Sequence, residues 1–354
     1  MRLKRLVWFG VIAVSVSILS VSNNAVASAA TIKSVTVFAT GTAVNATGPD
    51  SVTVSDDSIW VSYTNGASST GGDGKKSTIV QYDLHGKVLQ KFSILGSVDG
   101  LKVDPRTGLV WALQNQDGNS TLTKIDPDQG VTHESPISYA VQSATQGYDD
   151  VVFRGNRVFL SYTNPNLSSD PTIQMVVGGT DDEIKVKTIL TMGATGTDLA
   201  TGQRNQPTTD TDPDSLKLTP SGDLQLSSGA DGQLIFVRHP GTGDQAVAFL
   251  QLRNSDMSPV TNLDDAVFAT AERGVFYLAD TTNNRVLLIT VDDVEAGTLF
   301  ASVASVNGVT GGALFTVNTK TGVVTPFVTS AGGTHINGPH GLAFVPSDDQ
   351  SGDR

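Results

Sequence analysis

The chain has 354 residues, 23 Lys and Arg against 35 Asp and Glu, a net charge of −12 and no cysteine. So acidic a surface repels phosphate backbones and anionic headgroups, which excludes nucleic acid and membrane surfaces as partners. The lack of cysteine excludes thiol catalysis, thiolate metal sites and disulfides, so an exported chain of this kind must draw its stability from its core.

Arg2, Lys4 and Arg5 precede an apolar run from Leu6 to Val21, and Ala27-Ser28-Ala29 fits a small-residue cleavage site. Residues 1–29 therefore read as a secretory signal peptide, because the run is short for a bilayer span. Losing it removes three positive charges and no negative one, which takes the net charge from −12 to −15. The mature chain is expected to be soluble, monomeric and not inserted in a membrane, in the periplasm or outside the cell.

With 36 glycines, 38% apolar residues and no ten-residue stretch of helical period, residues 30–347 read as one all-β domain, followed by a polar tail, 348–354. A first alternating stretch, Val35 to Phe38, belongs to no complete repeat and is expected to close a ring by joining the last blade. After it one phrase, Asp-x-apolar-x-apolar, returns at Asp50, Asp99, Asp149, Asp214 and Asp264, and again at His340 with histidine in place of aspartate. Each of the first five copies is followed by a turn and a second strand: Ser58–Ser62, Gly108–Leu113, Gly155–Ser161, Gly222–Ser227 and Gly274–Asp280. A period of about fifty residues made of short alternating strands predicts a β-propeller. Six blades are expected, with five or seven left open by the strand count.

Two insertions interrupt the period, residues 193–212 and 292–312. The first reads as a long loop over one face, of a length that is functional or disordered in a compact domain. The glycine-rich loop Thr64 to Lys76 contains Gly71-Gly-Asp-Gly-Lys-Lys-Ser77, but the phosphate-loop spacing fails at Ser69 and Lys76 and no helix follows, so it reads as a flexible surface loop.

Gly274 to Thr290, with Ala279-Asp280, Asn283-Asn284 and Arg285-Val286, resembles the NHL repeat, and Gly338-Pro-His-Gly341 resembles the opening of such a repeat. Pro213-Asp214 with Gly222, and Asp99-Gly-Leu with Gly108, resemble openings in the SMP-30/gluconolactonase propellers. The resemblance implies a six-bladed propeller. It does not imply one activity, since such folds host binding proteins, lactonases, phosphotriesterases and lyases. Asp280 and Arg285 are expected to brace their turn as an ion pair.

In a propeller the innermost strands start at one face and line the channel, so Asp50, Asp99, Asp149, Asp214, Asp264 and His340 should ring one mouth. Five carboxylates so close need a cation or a hydrogen-bond donor each. One reading places a hard cation, calcium, on the axis with these residues as its metal site and a ligand on its open side. The other has each aspartate capping its own blade by accepting backbone amides. The SMP-30 pattern departs here: Thr47 stands where that family has a glutamate, while Asp214 matches its Pro-Asp-Gly aspartate with Ser215 in place of glycine. Asp210-Thr-Asp212-Pro-Asp214 is a second cation candidate, though Ser215 and Ser221 break the EF-hand pattern. No H-E-x-x-H or G-x-S-x-G occurs; His335 and His340 are the candidates for a general base, and no organic cofactor is indicated. The expected function is an exported binding module that takes a small molecule or protein at the channel face. The alternative is an extracellular metal-dependent hydrolase of the lactonase type.

Overall fold

Alternating β-branched and aromatic residues make the strands, and turns of fixed chemistry separate them. Residues 104–108 and 318–322 form the same turn twice. In each the last glycine, at φ +74° or +75°, donates its amide back to the first residue's carbonyl at 2.8 Å, a backbone conformation glycine adopts freely. The computed structural model describes residues 30–55, 57–138, 146–180, 183–305, 312–328 and 335–347. The signal-peptide and tail assignments lie outside these.

The chain starts with β1 (Thr31–Thr40), then forms blade 1 from β2 (Pro49–Ser55), β3 (Ser58–Tyr63), β4 (Lys76–Asp83) and β5 (Val88–Leu95). Blade 2 is β6 (Val98–Val103), β7 (Val110–Gln114), β8 (Thr121–Asp126) and β9 (Gly130–Ser138). Blade 3 is β10 (Tyr148–Arg154), β11 (Arg157–Tyr162), β12 (Pro171–Thr180) and β13 (Glu183–Thr191). The outer strands of these two blades also pair in parallel, Ile184 with Ile137 and Lys185 with Ser138.

The first insertion is not a bare loop. It holds β14 (Thr195–Asp198) and the short β15 (Gln206–Pro207) ahead of blade 4, which is β16 (Pro213–Leu218), β17 (Leu224–Ser228), β18 (Gln233–Arg238) and β19 (Ala246–Gln251). β14 runs parallel to β19, pairing Thr197 with Ala248 and Asp198 with Phe249, and so extends this blade outward.

The last stretch supplies β20 (Thr261–Phe268), β21 (Gly274–Asp280), β22 (Arg285–Asp292), β23 (Leu299–Ser305), β24 (Ala313–Val317), β25 (Val324–Val328) and β26 (Pro339–Pro346). Blade 5 is β20-β23-β24-β25, and blade 6 is β26-β21-β22-β1. Two expectations change here. Gly274–Asp280 is the second strand of blade 6, not of blade 5, and the second insertion contains β23, the true partner of the fifth anchor strand. Local chemistry explains the choice. Ser302 on β23 accepts the Asp265 amide at 3.0 Å, as Ser62 and Ser161 accept the Ser51 and Asp150 amides in blades 1 and 3. At Gly274, a Cβ would lie 2.5 Å from the Phe344 ring and closer still to the Val345 carbonyl oxygen, so the missing side chain lets β26 lie against β21.

Six blades result, and six buried clusters lie between them, one at each junction. Trp60, Ile79 and Leu101 fill the junction of blades 1 and 2; Phe276, Phe300 and Leu342 fill that of blades 5 and 6. Each such side chain contributes about 1.5–3 kcal/mol relative to exposure. β1 pairs with β22 from Thr31–Asp292 to Thr40–Arg285, so the N-terminal strand closes the ring as the outer edge of blade 6. No helix among the described residues is long and apolar enough to cross a membrane.

Candidate functional site

Every innermost strand carries one extra residue at its anchor. Pro49 to Val52 spans three residues against two from Tyr63 to Val61, and the same mismatch recurs in β6, β10, β16, β20 and β26. A bulge of this kind breaks strict alternation, so two consecutive side chains can turn to the same side. The channel is therefore lined in two layers from adjacent residues. Asp50, Asp99, Asp149, Asp214 and Asp264 are in the upper layer, and Ser51, Asp150, Ser215, Asp265 and Gly341 in the lower.

The upper layer is the ring expected from the sequence, with His340 completing it. His340 Nδ1 stands 3.1 Å from Asp50 Oδ1 and 2.9 Å from Asp264 Oδ1. Asp264 and Asp50 outweigh the burial of the imidazole and push its pKa up to about 12. Both carboxylates thus favour the protonated imidazolium. The other side of the ring has no such countercharge. Burial, followed by the Asp50 carboxylate, holds Asp99 well above the usual carboxylate range. Asp149 is raised by burial and by Asp99 and Asp214, and Asp214 by burial and by Asp264. Burial also raises Asp264, against the pull of His340. The Asp149 carboxyl faces those of Asp99 and Asp214, a juxtaposition that favours a proton or a cation between them.

Backbone capping, the second expectation for these aspartates, is not their role. Among the described residues no backbone amide donates to any of the five ring carboxyls. The lower layer does that work, and sequence reasoning missed it. Asp150 accepts the Val151 amide at 2.8 Å and, across the blade junction, the Leu216 amide at 3.0 Å. Asp265 accepts the Ala266 and Leu342 amides, both at 2.8 Å. Each also meets a lysine: Lys102 Nζ is 3.3 Å from Asp150 Oδ2, and Lys217 Nζ is 2.7 Å from Asp265 Oδ2. Burial brings Lys102 down to about 8, with Lys217 adding to the effect against Asp150. For Lys217 the Asp265 and Asp150 carboxylates outweigh burial and raise it. About 20 Å³ remains in the lumen here, room for about one water. The visible signal was a doubled Asp at 149–150 and 264–265, with a lysine three residues past the anchor in a neighbouring repeat.

Above the ring opens a cavity of about 570 Å³ walled by hydroxyls and amides, including Thr64, Ser97, Gln116 and Asn164. Gln116 Oε1 is buried without a hydrogen-bond partner. The glycine-rich loop forms part of this wall through Thr64, Ala67 and Ser69, and it is tied down: the Asp117 amide donates to the Ser69 carbonyl at 3.0 Å and Asn119 Nδ2 to the Thr70 carbonyl at 3.2 Å. The second cation candidate is dispersed. Asp214 is in the ring and Asp212 lines the cavity above it, while Asp210 does not line it. Asp210 is fully buried with both carboxyl oxygens unpartnered, and burial pushes it up to about 7. Asp280 braces its turn as expected, accepting from Arg285 Nε at 2.7 Å, Asn283 Nδ2 at 2.9 Å and the Asn337 amide at 2.7 Å.

Among the described residues no three His, Asp or Glu side chains are already gathered as a metal shell. The donors that fit a hard cation are the Asp99, Asp149 and Asp214 carboxyls, all oxygen and, among the described residues, without backbone donors.

No family model matches the chain, and no curated protein does. Solved structures similar to it include a periplasmic gluconolactonase from Pseudomonas aeruginosa, 15% identical with a TM-score of 0.48 over 84% of this chain and 88% of that one. A virginiamycin B lyase from Staphylococcus aureus is 13% identical, with a TM-score of 0.44 over 81% and 71%. A protein of unknown function from Bacteroides caccae is 10% identical, with a TM-score of 0.44 over 78% and 80%.

Proposed function

We propose that the protein is an exported binding module whose channel mouth takes a hard divalent cation, calcium, and on its open side a polar small molecule. The observation that carries this is the crowding of the Asp99, Asp149 and Asp214 carboxyls under an open polar cavity, where among the described residues neither a backbone amide nor a lysine reaches them. Protons are what a cation displaces, and three carboxylates supply the charge and oxygen donors calcium prefers. On the other side His340 pairs with Asp50 and Asp264, one positive charge against two carboxylates. The hydroxyls and amides of the cavity wall, Gln116 Oε1 among them, would orient the ligand.

The lactonase alternative would need a general base, and of its candidates His340 is held by two carboxylates that favour the protonated form. Export rests on the sequence of residues 1–29 and is tested by the mass of the secreted chain. The cation is tested by thermal melting with calcium and with chelator. At a hundredfold excess over Kd, calcium should stabilise the fold by about 2.7 kcal/mol. The double variant Asp99→Asn, Asp214→Asn should remain folded and lose that response. A melting curve indifferent to both calcium and chelator would remove the reading.

A further inference from the structure

A second and larger cavity lies far from the acidic ring. Inner strands β16 and β20 start near the ring and run away from it. The cleft, of about 810 Å³, is lined at their far ends by the 219–223 turn after β16 and by Phe268, the last residue of β20. Phe268 lies four positions beyond Asp264, about 13 Å of extended strand, so the cleft is at the far end of these strands from the ring. The size is that of small-molecule sites.

Its walls have two characters. Phe236, Phe268 and Val247 are half-buried and pack on the clusters at the two sides of blade 4, leaving one apolar face each towards the cleft. Leu199, from the insertion, adds an apolar side chain that is 42% exposed. At the rim stand Arg204, also from the insertion, and Arg238, at the end of β18. Among the described residues neither guanidinium makes an ion pair or a hydrogen bond, while Arg106, Arg273 and Arg285 each pair with a carboxylate. Two unpaired guanidiniums together are unexpected in a chain of net charge −12. One carboxylate, Asp223, shares the rim and accepts the Ser221 hydroxyl at 3.1 Å, so the rim carries one net positive charge.

We propose that this cleft between blades 4 and 5 binds a small amphipathic monoanion, an acyl or aryl carboxylate. Arg204 and Arg238 hold its charged end in the bidentate manner a guanidinium favours, and Phe236 and Phe268 cover its apolar body. The rim matches a single negative charge, and Asp223 disfavours a dianion. The insertion acquires a role: β14 docks on β19 and brings Leu199 and Arg204 to a blade edge that would otherwise be open. This site is independent of the cation at the mouth.

The probe is decanoate, read by its displacement of the fluorescent anion 8-anilinonaphthalene-1-sulfonate from the intact mature chain, with decyltrimethylammonium as the cation of equal tail. Decanoate should displace the dye and decyltrimethylammonium should not. The double variant Arg204→Glu, Arg238→Glu should bind decanoate at least tenfold more weakly, the loss expected for one charge-assisted hydrogen bond. Both side chains are exposed, and a melting curve of the same sample shows that the loss is read on folded protein. A loss smaller than tenfold, or equal displacement by the two detergents, overturns the proposal.

Discussion

Two aspartates stand side by side at positions 149 and 150, and again at 264 and 265, and they do opposite things. Asp149 has no backbone donor and is raised by its like-charged neighbours; Asp150 accepts two backbone amides and a lysine. Asp264 faces His340 in the ring, whereas Asp265 ties blade 5 to blade 6 through the Leu342 amide and holds Lys217. The bulge allows this by turning both members of each pair into the channel. A carboxylate's role here thus depends on which donors reach it. Where amides and a lysine converge, the charge is structural; where only other carboxyls converge, it is left for something from outside.

The strongest way to break this contrast is to remove the lower layer. Asp265→Ala leaves Lys217 buried without its partner and the Leu342 amide without its acceptor, and should cost about 3–5 kcal/mol in urea unfolding. A loss under 1 kcal/mol would show that the lower layer is not what joins the blades. Next comes the ring's own countercharge. His340→Gln should destabilise the metal-free protein by about 2 kcal/mol at pH 7, because Asp50 and Asp264 lose a charged donor. It should also make folding more dependent on added calcium. The upper layer should respond in the opposite direction. Asp149→Asn removes one of several repelling carboxyls, and the metal-free protein should keep its stability or gain up to about 1 kcal/mol. A loss comparable to that of Asp265→Ala would erase the distinction between the layers.

The smallest effect is the pH dependence. Asp99, Asp149, Asp214 and Asp264 lie above their ordinary 3.8, so the folded state holds more protons than the unfolded state above that pH. Stability contributed by these groups is present at low pH and is lost as pH rises through their folded values. His340 acts in the same direction: its contribution is complete below 6.5 and is lost as pH climbs towards about 12. The urea midpoint of metal-free protein should therefore be higher at pH 5 than at pH 7. Asp292, held low by Arg273, works the other way and loses its contribution only as pH falls below 3.8. With calcium bound the trend between pH 7 and pH 5 should reverse, since protons compete for the ring. A flat midpoint in both conditions would mean that the ring carboxyls titrate normally.

The ring was legible in the sequence because the anchor recurs with the blade and its aspartate stands at a fixed distance from the apolar positions. The lower layer was not, because strict alternation places Asp150 and Asp265 on the opposite face from Asp149 and Asp264, and the six bulges that overturn this leave no clear mark in a single sequence. Closure by β1 could be read from a strand without a repeat. The assignment of Gly274–Asp280 to the wrong blade has a different cause. All blades share one hydrophobic pattern, so proximity along the chain is the default guide, and here it misleads. A hydroxyl accepts the bulge amide at Ser62, Ser161 and Ser302, but β7 pairs with its anchor strand without one, so the lack of serine in Gly274–Asp280 did not expose the error. The far cleft left no motif at all, because Arg204, Arg238, Phe236 and Phe268 come from the insertion and two different blades.

The exchange of strands between blades 5 and 6 reaches beyond topology. The chain leaves blade 5 after one strand, builds two strands of blade 6, returns to finish blade 5, and only then supplies the innermost strand of blade 6. Blade 5 can be completed only after Val328 has emerged and blade 6 only after residues 339–346 have, and β1, made first, waits for β22 until residue 292. Assembly therefore ends with one late step that joins strands far apart along the chain, a slow kind of closure. Once made, the junction behaves as a clasp. A protease cut between β20 and β21 severs the chain inside the interlock, and the two fragments remain held by the strands each has lent to the other's blade. They should co-elute on gel filtration until denaturant is added, and separate elution in native buffer would show that the two blades open one at a time.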